Sequence, residues 1–252
     1  MIIIKNSSEI ELMRKSGELL AEVLLLLEDA VKPGVSTHDL DALAEKFIAA
    51  NGATPTFKGY AGFPAAICTS VNNELLHGIP SKKRILKEGD IISVDAGVCY
   101  KGLNTDAART FAVGNISDDA KRLIAVTEES FFRGLPFAKT GYRLYDISAR
   151  IQQHIERGGY KVVTDYVGHG VGRELHEDPS IPNYGKPGTG IRLREGMTLA
   201  IEPMVTVKSP DVKVLDDGWT VVSRDNEYCA HYENTVLITQ DGPELLTLKA
   251  EV

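Results

Sequence analysis

Apolar residues recur at helical spacing in two stretches near the start of the chain. The first stretch follows Ser8-Glu9-Ile10-Glu11, which has the spacing of a capping box, and predicts a helix over about residues 8–31. The second follows a cap at Ser36 or Thr37 and predicts a helix that ends near Asn51-Gly52. The chain is therefore expected to open with two helices.

The same order of elements appears again further along the chain. Apolar patterns predict strands at residues 90–98 and 109–113. Ser117 then caps a predicted helix that extends to about Phe132, and another helix is predicted from Tyr145 to Arg157. Strand patterns return after this helix, so that two helices followed by strands occur twice.

An offset of 107 residues aligns the two parts of the chain with each other. At this offset Leu86-Lys87-Glu88-Gly89 falls on Leu193-Arg194-Glu195-Gly196, and Asp95 falls on Glu202. A register that carries both helix starts and strands indicates an internal repeat.

The repeat predicts the fold class. Its copies span about residues 31–113 and 138–239, within a single domain of residues 1–252. Each copy alone has too few strands to cover a core. We therefore expect an α+β fold in which two α-α-β halves, related by a pseudo-twofold axis, surround a central antiparallel sheet.

Composition limits the classes of protein and partner. Of the 252 residues, 43% are hydrophobic and 25% are charged, as in globular chains. The net charge of −7 argues against nucleic acid or a membrane surface as the main partner. Cys68, Cys99 and Cys229 are odd in number and widely spaced, which is typical of a reduced cytoplasmic protein. No apolar run suits a secretory signal or a membrane span.

Acidic residues interrupt segments that otherwise have the pattern of buried strands. Asp95 lies in the first predicted strand and Asp106 at the start of the returning strand, so a hairpin would bring them side by side. Glu202, followed by Pro203, and Glu233 occupy comparable apolar segments of the second half. Four such carboxylates would repel one another without a cation. The pattern therefore predicts two bridged divalent metal ions.

Three histidines are candidates for the same site. His169 lies between Gly168 and Gly170, which allow a close approach of the backbone and leave the ring accessible, so it is the candidate imidazole ligand. A histidine between glycines is, however, more often a loop residue than a ligand, and the same loop interpretation applies to His77 before Gly78-Ile79-Pro80. His231, two residues before Glu233, should share its strand face, and a role beside the ligands stays open.

Together these motifs resemble the type I methionine aminopeptidases in their short bacterial form, in order over about residues 5–245. The resemblance rests on Cys68, His77-Gly78-Ile79-Pro80, Asp95, Asp106, Gly168-His169-Gly170-Val171-Gly172, His176-Glu177-Asp178-Pro179, Ile201-Glu202-Pro203-Met204 and Tyr232-Glu233-Asn234-Thr235. It implies the pseudo-symmetric pita-bread fold. It also implies removal of the N-terminal methionine from nascent proteins and peptides with a small second residue.

The resemblance further implies which residues bind metal and which act in catalysis. The metal ligands would be Asp95, Asp106, His169, Glu202 and Glu233. Asp106 and Glu233 would bridge two divalent ions, for which an oxygen-rich ligand set favours Mn²⁺, Fe²⁺ or Co²⁺. A hydroxide between the ions would attack the first peptide bond, and Glu202 would carry its proton to the leaving amine. His176 would stabilise the oxyanion, and His77 would hold the substrate amide.

The family pocket corresponds to a set of mostly apolar residues in this chain. These are Tyr60, Phe63, Cys68, Leu175 and Trp219. Aromatic edges and sulfur suit an unbranched thioether. Four positions depart from the commonest family pattern: Leu175 replaces an aromatic residue, Phe63 a tyrosine, Phe57 a cysteine and Asn234 a histidine. None of them removes a ligand, so they bear on the pocket.

Other proteins share this fold. X-Pro aminopeptidases and dipeptidases use the same five ligands but usually have a large N-terminal domain. The first repeat of this chain begins too early to leave room for such a domain. Creatinase-like amidinohydrolases are also usually longer than this chain. A metal-free peptide-binding module would have lost ligands that all stand in this chain. The family resemblance also implies a cytoplasmic protein with only transient ribosome contact. A monomer is the default expectation, since the sequence carries no sign of a dimer interface.

Overall fold

A computed structural model describes residues 1–248, so the last four residues of the predicted domain lie outside the described part. The α-helices in this part are α1 (Ser7–Ala30), α2 (Thr37–Ala50), α3 (Asp118–Gly134) and α4 (Leu144–Arg157). Short 3₁₀ turns occur at Tyr60–Gly62 and Leu135–Phe137. All four helices lie within two residues of the predicted bounds.

The N-terminal caps show one agreement and one difference. Ser36 caps α2, where its hydroxyl accepts a hydrogen bond from the Asp39 amide at 3.2 Å. Helix α1 starts from Asn6 and not from Ser8: the Asn6 side chain accepts from the Glu9 amide at 3.0 Å, and Glu9 accepts from the Asn6 amide at 2.9 Å. Both registers satisfy the capping-box spacing, and asparagine caps a helix as well as serine does.

The strands form short antiparallel ladders, apart from one long hairpin. They are β1 (Thr54–Pro55), β2 (Ile67–Val71), β3 (Glu74–Leu76), β4 (Ile91–Tyr100), β5 (Leu103–Ala112), β6 (Lys161–Val162), β7 (Gly168–Gly170), β8 (Glu177–Ile181), β9 (Thr198–Ile201), β10 (Met204–Thr206), β11 (Val212–Val214), β12 (Val221–Ser223), β13 (Cys229–His231), β14 (Asn234–Ile238) and β15 (Pro243–Leu245). The predicted α+β class with antiparallel sheets is confirmed.

Main-chain hydrogen bonds divide these strands into four sheets and not into one continuous sheet. One contains β1, β2, β4 and β5; the others have the orders β13-β10-β6, β11-β12-β3 and β15-β14-β9-β7-β8. The break between the halves falls where β5 meets β13 and β14, and side chains provide most of the connection there.

Two threonines connect the halves at this seam. The Thr110 hydroxyl accepts from the His231 amide at 3.0 Å and donates to the His231 carbonyl at 2.8 Å. The Thr235 hydroxyl does the same for Asp106, at 2.9 Å in both directions. Ala108 and Glu233 exchange main-chain bonds between these two pairs, so the seam has the symmetry of a twofold axis.

The repeat offset found in the sequence also relates structural features. A β-bridge joins Ser36 to Ile85 at the start of α2, and its counterpart joins Arg143 to Arg192 at the start of α4. The glycine before each helix start has a left-handed backbone, with φ of 94° at Gly34 and 92° at Gly141. The two halves therefore repeat their turns as well as their helices.

Each half packs its helices on one side of its strands. Helices α1 and α2 bury Leu20, Leu27 and Leu40 with Ile92 and Val94 of β4. Helices α3 and α4 pack in the same way against strands of the second half. These layers leave the other face of the strands free to form a site between the halves. Within residues 1–248, no helix combines the length and apolar character needed to span a membrane.

Candidate metal centre

The hairpin of β4 and β5 places the first two acidic residues. Asp106 of β5 pairs with Gly97 of β4, and Asp95 lies two residues before Gly97 on β4. Side chains two positions apart share a face, so Asp95 and Asp106 are diagonal neighbours on the face turned away from α1 and α2. Ten continuous residue pairs fix this register.

Glu202 and Glu233 reach the same place from strand ends. Glu202 follows β9 and precedes Pro203, whose missing amide interrupts the strand before β10. Glu233 precedes β14 and is held by main-chain bonds to Ala108 of 2.9 and 3.3 Å. The four predicted acids therefore come together, two from each half.

His169 presents one ring nitrogen to these carboxylates. Its neighbours are glycines for a steric reason: a Cβ on Gly168 would lie 2.4 Å from the Ala200 carbonyl oxygen. The Nδ1 atom of His169 lies 2.9 Å from the Gly170 carbonyl oxygen, so Nδ1 carries the proton and donates it. The lone pair is thereby left on Nε2, which lies 3.8 Å from Asp106 Oδ2 and 3.7 Å from Glu202 Oε1.

Burial shifts the pKa of each group in the cluster towards its neutral form. It raises the pKa of the Asp95 carboxyl to about 7. Burial, reinforced by neighbouring carboxylates, holds the pKa of the Asp106 and Glu233 carboxyls well above their usual range, and burial does the same for Glu202. The pKa of His169 is lowered to about 3 by burial and by the nearby His176.

These residues fit a divalent metal centre. Oδ1 of Asp95, Oδ1 of Asp106 and Oε1 of Glu233 are buried without a hydrogen-bond partner. Asp106, His169 and Glu233 offer ligand atoms within 4.8 Å of one another. Buried oxygens without partners are costly in a protein alone and become favourable when they coordinate a cation.

A cavity of about 170 Å³ opens onto this cluster. Every residue assigned to the site from the sequence lines it, namely Tyr60, Phe63, Cys68, His77, Asp95, Asp106, His169, Leu175, His176, Glu202, Trp219 and Glu233. Sequence reasoning missed Leu76, Tyr166 and Val167, which also line the cavity. No spacing or residue type distinguished them, since their positions depend on the turns around His77 and His169.

Cavity volume alone would not have located this site. A cavity of about 500 Å³ lies between α1 and α3, and His231 is the one candidate from the sequence that lines it, while none of the five candidate ligands does. The smaller cavity is distinguished by its chemistry, because five candidate ligands converge there.

An apolar and aromatic wall of the cavity lies beside the carboxylates. The rings of Phe63 and Trp219 meet edge to face with centroids 5.1 Å apart. Cys68 and Leu175 are each 4% exposed and pack with Phe63 and Phe57. Burial raises the pKa of the Cys68 thiol well above its usual range, so the sulfur is neutral and adds to the apolar wall.

Two further histidines lie beside the cluster. The ring centroid of His176 is 4.3 Å from that of His169, and His176 Nδ1 lies 2.7 Å from the Tyr60 hydroxyl. His77 has a left-handed backbone, with φ of 58°, and its ring meets Tyr166 edge to face at 6.0 Å. Burial lowers the pKa of His77 to about 4, so this ring is neutral near pH 7.

His231 is also brought to the cluster. Its Nε2 atom lies 3.4 Å from Glu202 Oε2 and 3.8 Å from Glu233 Oε2, and the residue is 2% exposed. The sequence pattern correctly placed it on the same side as Glu233 and gave no sign of its proximity to Glu202.

Comparison with known proteins agrees with this geometry. The model of "Metallopeptidase family M24" matches residues 11–240. A methionine aminopeptidase from Clostridium perfringens is 58% identical over 248 residues, which cover 98% of this chain and 99% of that protein. The crystal structure of methionine aminopeptidase from Thermotoga maritima superposes with a TM-score of 0.97 at 49% identity, covering 99% of this chain and all of that one.

A more distant structure shares the fold with a longer chain. Prolidase from Pyrococcus furiosus superposes with a TM-score of 0.79 at 28% identity, and the match covers 99% of this chain but 66% of that one. The expected pita-bread fold is therefore common to both groups.

Fold and donor set together define a metal-dependent hydrolase. At the identities found, the chain belongs to metallopeptidase family M24 and, within it, to the methionine aminopeptidases.

Proposed function

We propose that this protein removes the N-terminal methionine from nascent proteins and from peptides with a small second residue. One observation carries the proposal: five candidate metal ligands line one cavity together with aromatic side chains and the sulfur of Cys68. The cluster supplies the chemistry of hydrolysis, and the wall suits the methionine thioether. The 58% identity with a methionine aminopeptidase supports the same assignment.

Asp95, Asp106, His169, Glu202 and Glu233 are the proposed ligands of two divalent ions, Mn²⁺, Fe²⁺ or Co²⁺. When bound, such ions lower the pKa of water and polarise a carbonyl oxygen. Asp106 and Glu233 are the bridging candidates because they lie next to each other at the seam between the halves. Four carboxylates favour hard or borderline ions.

His176 is the proposed donor to the developing oxyanion. A hydroxyl proton donated by Tyr60 to His176 Nδ1, at 2.7 Å, leaves the ring proton on Nε2, where it is available to the substrate. His77 holds the substrate amide from the other side of the cavity. Glu202, which lines the cavity beside the other proposed ligands, accepts a proton and passes it to the leaving amine.

Cleavage of a single residue follows from the proposed binding of the substrate amine. The free α-amine can bind a metal ion at the carboxylates only when no residue precedes it. The aromatic pair Phe63 and Trp219 and the buried Cys68 then select the first side chain. Residues 1–252 act in this proposal as one catalytic domain.

The proposed cellular setting is the cytoplasm. Cys68, Cys99 and Cys229 are unpaired thiols, which supports a reducing compartment. The enzyme acts as a monomer, and its contact with the ribosome is transient because a net charge of −7 gives no attraction to RNA.

The test is a mass-spectrometric assay of peptide cleavage. The protein is stripped of metal, resupplied with Mn²⁺, Co²⁺ or Fe²⁺, and incubated with Met-Ala-Ser, Leu-Ala-Ser and Ala-Pro-Ser. We expect metal-dependent release of methionine alone. The Asp106→Asn variant serves as the matched inactive control.

Each other outcome assigns a different function. Release of leucine as well would show that the altered pocket has broadened specificity. Cleavage of Ala-Pro-Ser alone would move the protein to the X-Pro peptidases. Absence of cleavage with metal bound would favour a peptide-binding module.

A further inference from the structure

His231 is buried beside the proposed ligands without a hydrogen bond to its ring. It is the last residue of β13 and is 2% exposed, and Thr110 holds its main chain on both sides. Both ring nitrogens lack a hydrogen-bond partner. A buried imidazole in this condition is costly unless it meets a specific partner, so its surroundings are informative.

The Glu202 carboxylate lies between two imidazoles, with one oxygen facing each. Oε1 lies 3.7 Å from Nε2 of His169, and Oε2 lies 3.4 Å from Nε2 of His231. Glu202 is therefore the partner that His231 can reach with a small rotation of either side chain.

The two imidazoles differ in where the ring proton sits. In His169, Nδ1 donates to the Gly170 carbonyl, which leaves a lone pair on Nε2. His231 Nδ1 has no such acceptor, while its Nε2 faces carboxylate oxygens of both Glu202 and Glu233. The proton is favoured on Nε2, where the acceptors are, so His231 has the form of a donor and His169 the form of a ligand.

We propose that His231 is a positioning residue that donates a hydrogen bond from Nε2 to Oε2 of Glu202. This bond would occupy Oε2 and leave Oε1, which faces His169, as the Glu202 oxygen available to a metal ion. The inference rests on the proposed ligand role of Glu202. Partners of this kind fix the orientation of a metal ligand, and their loss typically lowers metal affinity by about 10–100-fold.

The experiment measures metal binding before activity. Calorimetric titration of metal-stripped wild-type protein with Mn²⁺ comes first, because failure to bind any divalent ion would overturn the proposed function itself. His231→Gln then retains an N–H donor near the position of Nε2, whereas His231→Leu fills a similar volume without a donor.

We expect His231→Leu to bind Mn²⁺ about 10–100-fold more weakly than wild type and His231→Gln to stay within about threefold. The metal-free His231→Leu protein should melt at or above the wild-type temperature, because it no longer buries an unpaired polar ring. A purely structural role would instead lower the melting temperature of both variants.

A measurement on the wild type covers the case in which His231→Leu fails to fold. Long-range ¹H–¹⁵N correlation spectra of the Zn²⁺-loaded protein report which ring nitrogen carries the proton. A proton on Nε2 of His231 supports the proposal. An unprotonated Nε2, wild-type Mn²⁺ affinity in His231→Leu, or equal weakening in both variants would overturn it.

Discussion

The two halves of the molecule place their acidic residues by different means. In the first half, Asp95 and Asp106 stand on one hairpin of two ten-residue strands, and continuous main-chain bonds fix their separation. In the second half, Glu202 and Glu233 stand at the ends of short strands, interrupted by Pro203. A pseudo-symmetric fold thus combines a rigid platform with a side held by individual contacts.

The second half also supplies the ring nitrogens nearest the acids. His169 and His231 face different oxygens of the Glu202 carboxylate, and the ring of His176 meets that of His169 edge to face. The second half therefore carries glutamate side chains, which are longer than those of aspartate, and imidazole rings, and these groups can change their orientation. Under the proposed assignment, we expect the first half to fix where metal binds and the second half to adapt to substrate and proton transfer.

The largest expected effect comes from removing one proposed bridging charge in each half. Asp106→Asn and Glu233→Gln preserve shape, and we expect each to lower kcat/KM by more than about 10³-fold. Both metal-free variants should fold at least as stably as wild type, because one of several repelling buried carboxylates is gone. Peptide cleavage and thermal unfolding measure the two effects.

Asp118→Asn is a suitable control, since its carboxylate is 97% exposed and does not line the cavity. Activity above a tenth of wild type in either bridging variant, with metal resupplied, would contradict the dinuclear assignment. Activity retained in one variant only would show that the halves contribute unequally.

Substitution of His176 and of His77 tests which half of the molecule stabilises the transition state. We expect His176→Ala to keep metal binding and to lose about 10²–10³-fold in kcat, as for loss of an oxyanion donor. His77→Ala, in the first half, should raise KM more than it lowers kcat. Steady-state kinetics separate these effects, and unchanged kcat in His176→Ala would remove the donor role.

Metal removal should expose the pH dependence of the buried carboxyls. Burial raises the pKa of Asp95 to about 7, above an unfolded value near 4. The folded protein therefore binds more protons than the unfolded chain in this interval, and its stability falls as pH rises through it. We expect the metal-free protein to melt at a lower temperature at pH 8 than at pH 6.

Metal-loaded protein provides the comparison for this pH effect, because bound cations keep the carboxylates ionised at both pH values. A metal-free protein that melts at the same temperature at pH 6 and pH 8 would show that its carboxyls are not shifted. Chemical denaturation at the two pH values checks the result independently of temperature.

The sequence predicted the chemistry of the site better than its supporting contacts. Asp95, Asp106 and His169 stand out because acids in apolar strands and a histidine between glycines conflict with an ordinary core. Hairpin register then follows from side-chain alternation. The contact between His231 and Glu202 joins strands far apart in the chain, and no local pattern encodes that distance.

The helices and the seam show the same limit. The sequence predicted a cap at Ser8 for α1, whereas the folded backbone uses Asn6, which satisfies the same motif with Glu9. The seam lacks a continuous ladder because Thr110 and Thr235 replace main-chain partners with hydroxyls. Threonine is common in ordinary strands, so its role here was not evident from the sequence.

These two threonines allow the smallest and most direct test of the difference between the halves. Thr110→Val and Thr235→Val keep the side-chain shape and remove a hydroxyl that satisfies one amide and one carbonyl. Each should lower the free energy of unfolding by about 1–3 kcal/mol, with the larger loss for Thr235, which is fully buried.

Thr235 holds the main chain of Asp106, whereas Thr110 holds that of His231. Chemical denaturation measures the loss in the free energy of unfolding. Calorimetric titration measures any change in Mn²⁺ affinity. If the first half is a rigid platform, the ladder of β4 and β5 should hold Asp106 in Thr235→Val and preserve Mn²⁺ affinity, whereas Thr110→Val should weaken it through His231. The opposite order would place the adaptable side in the first half.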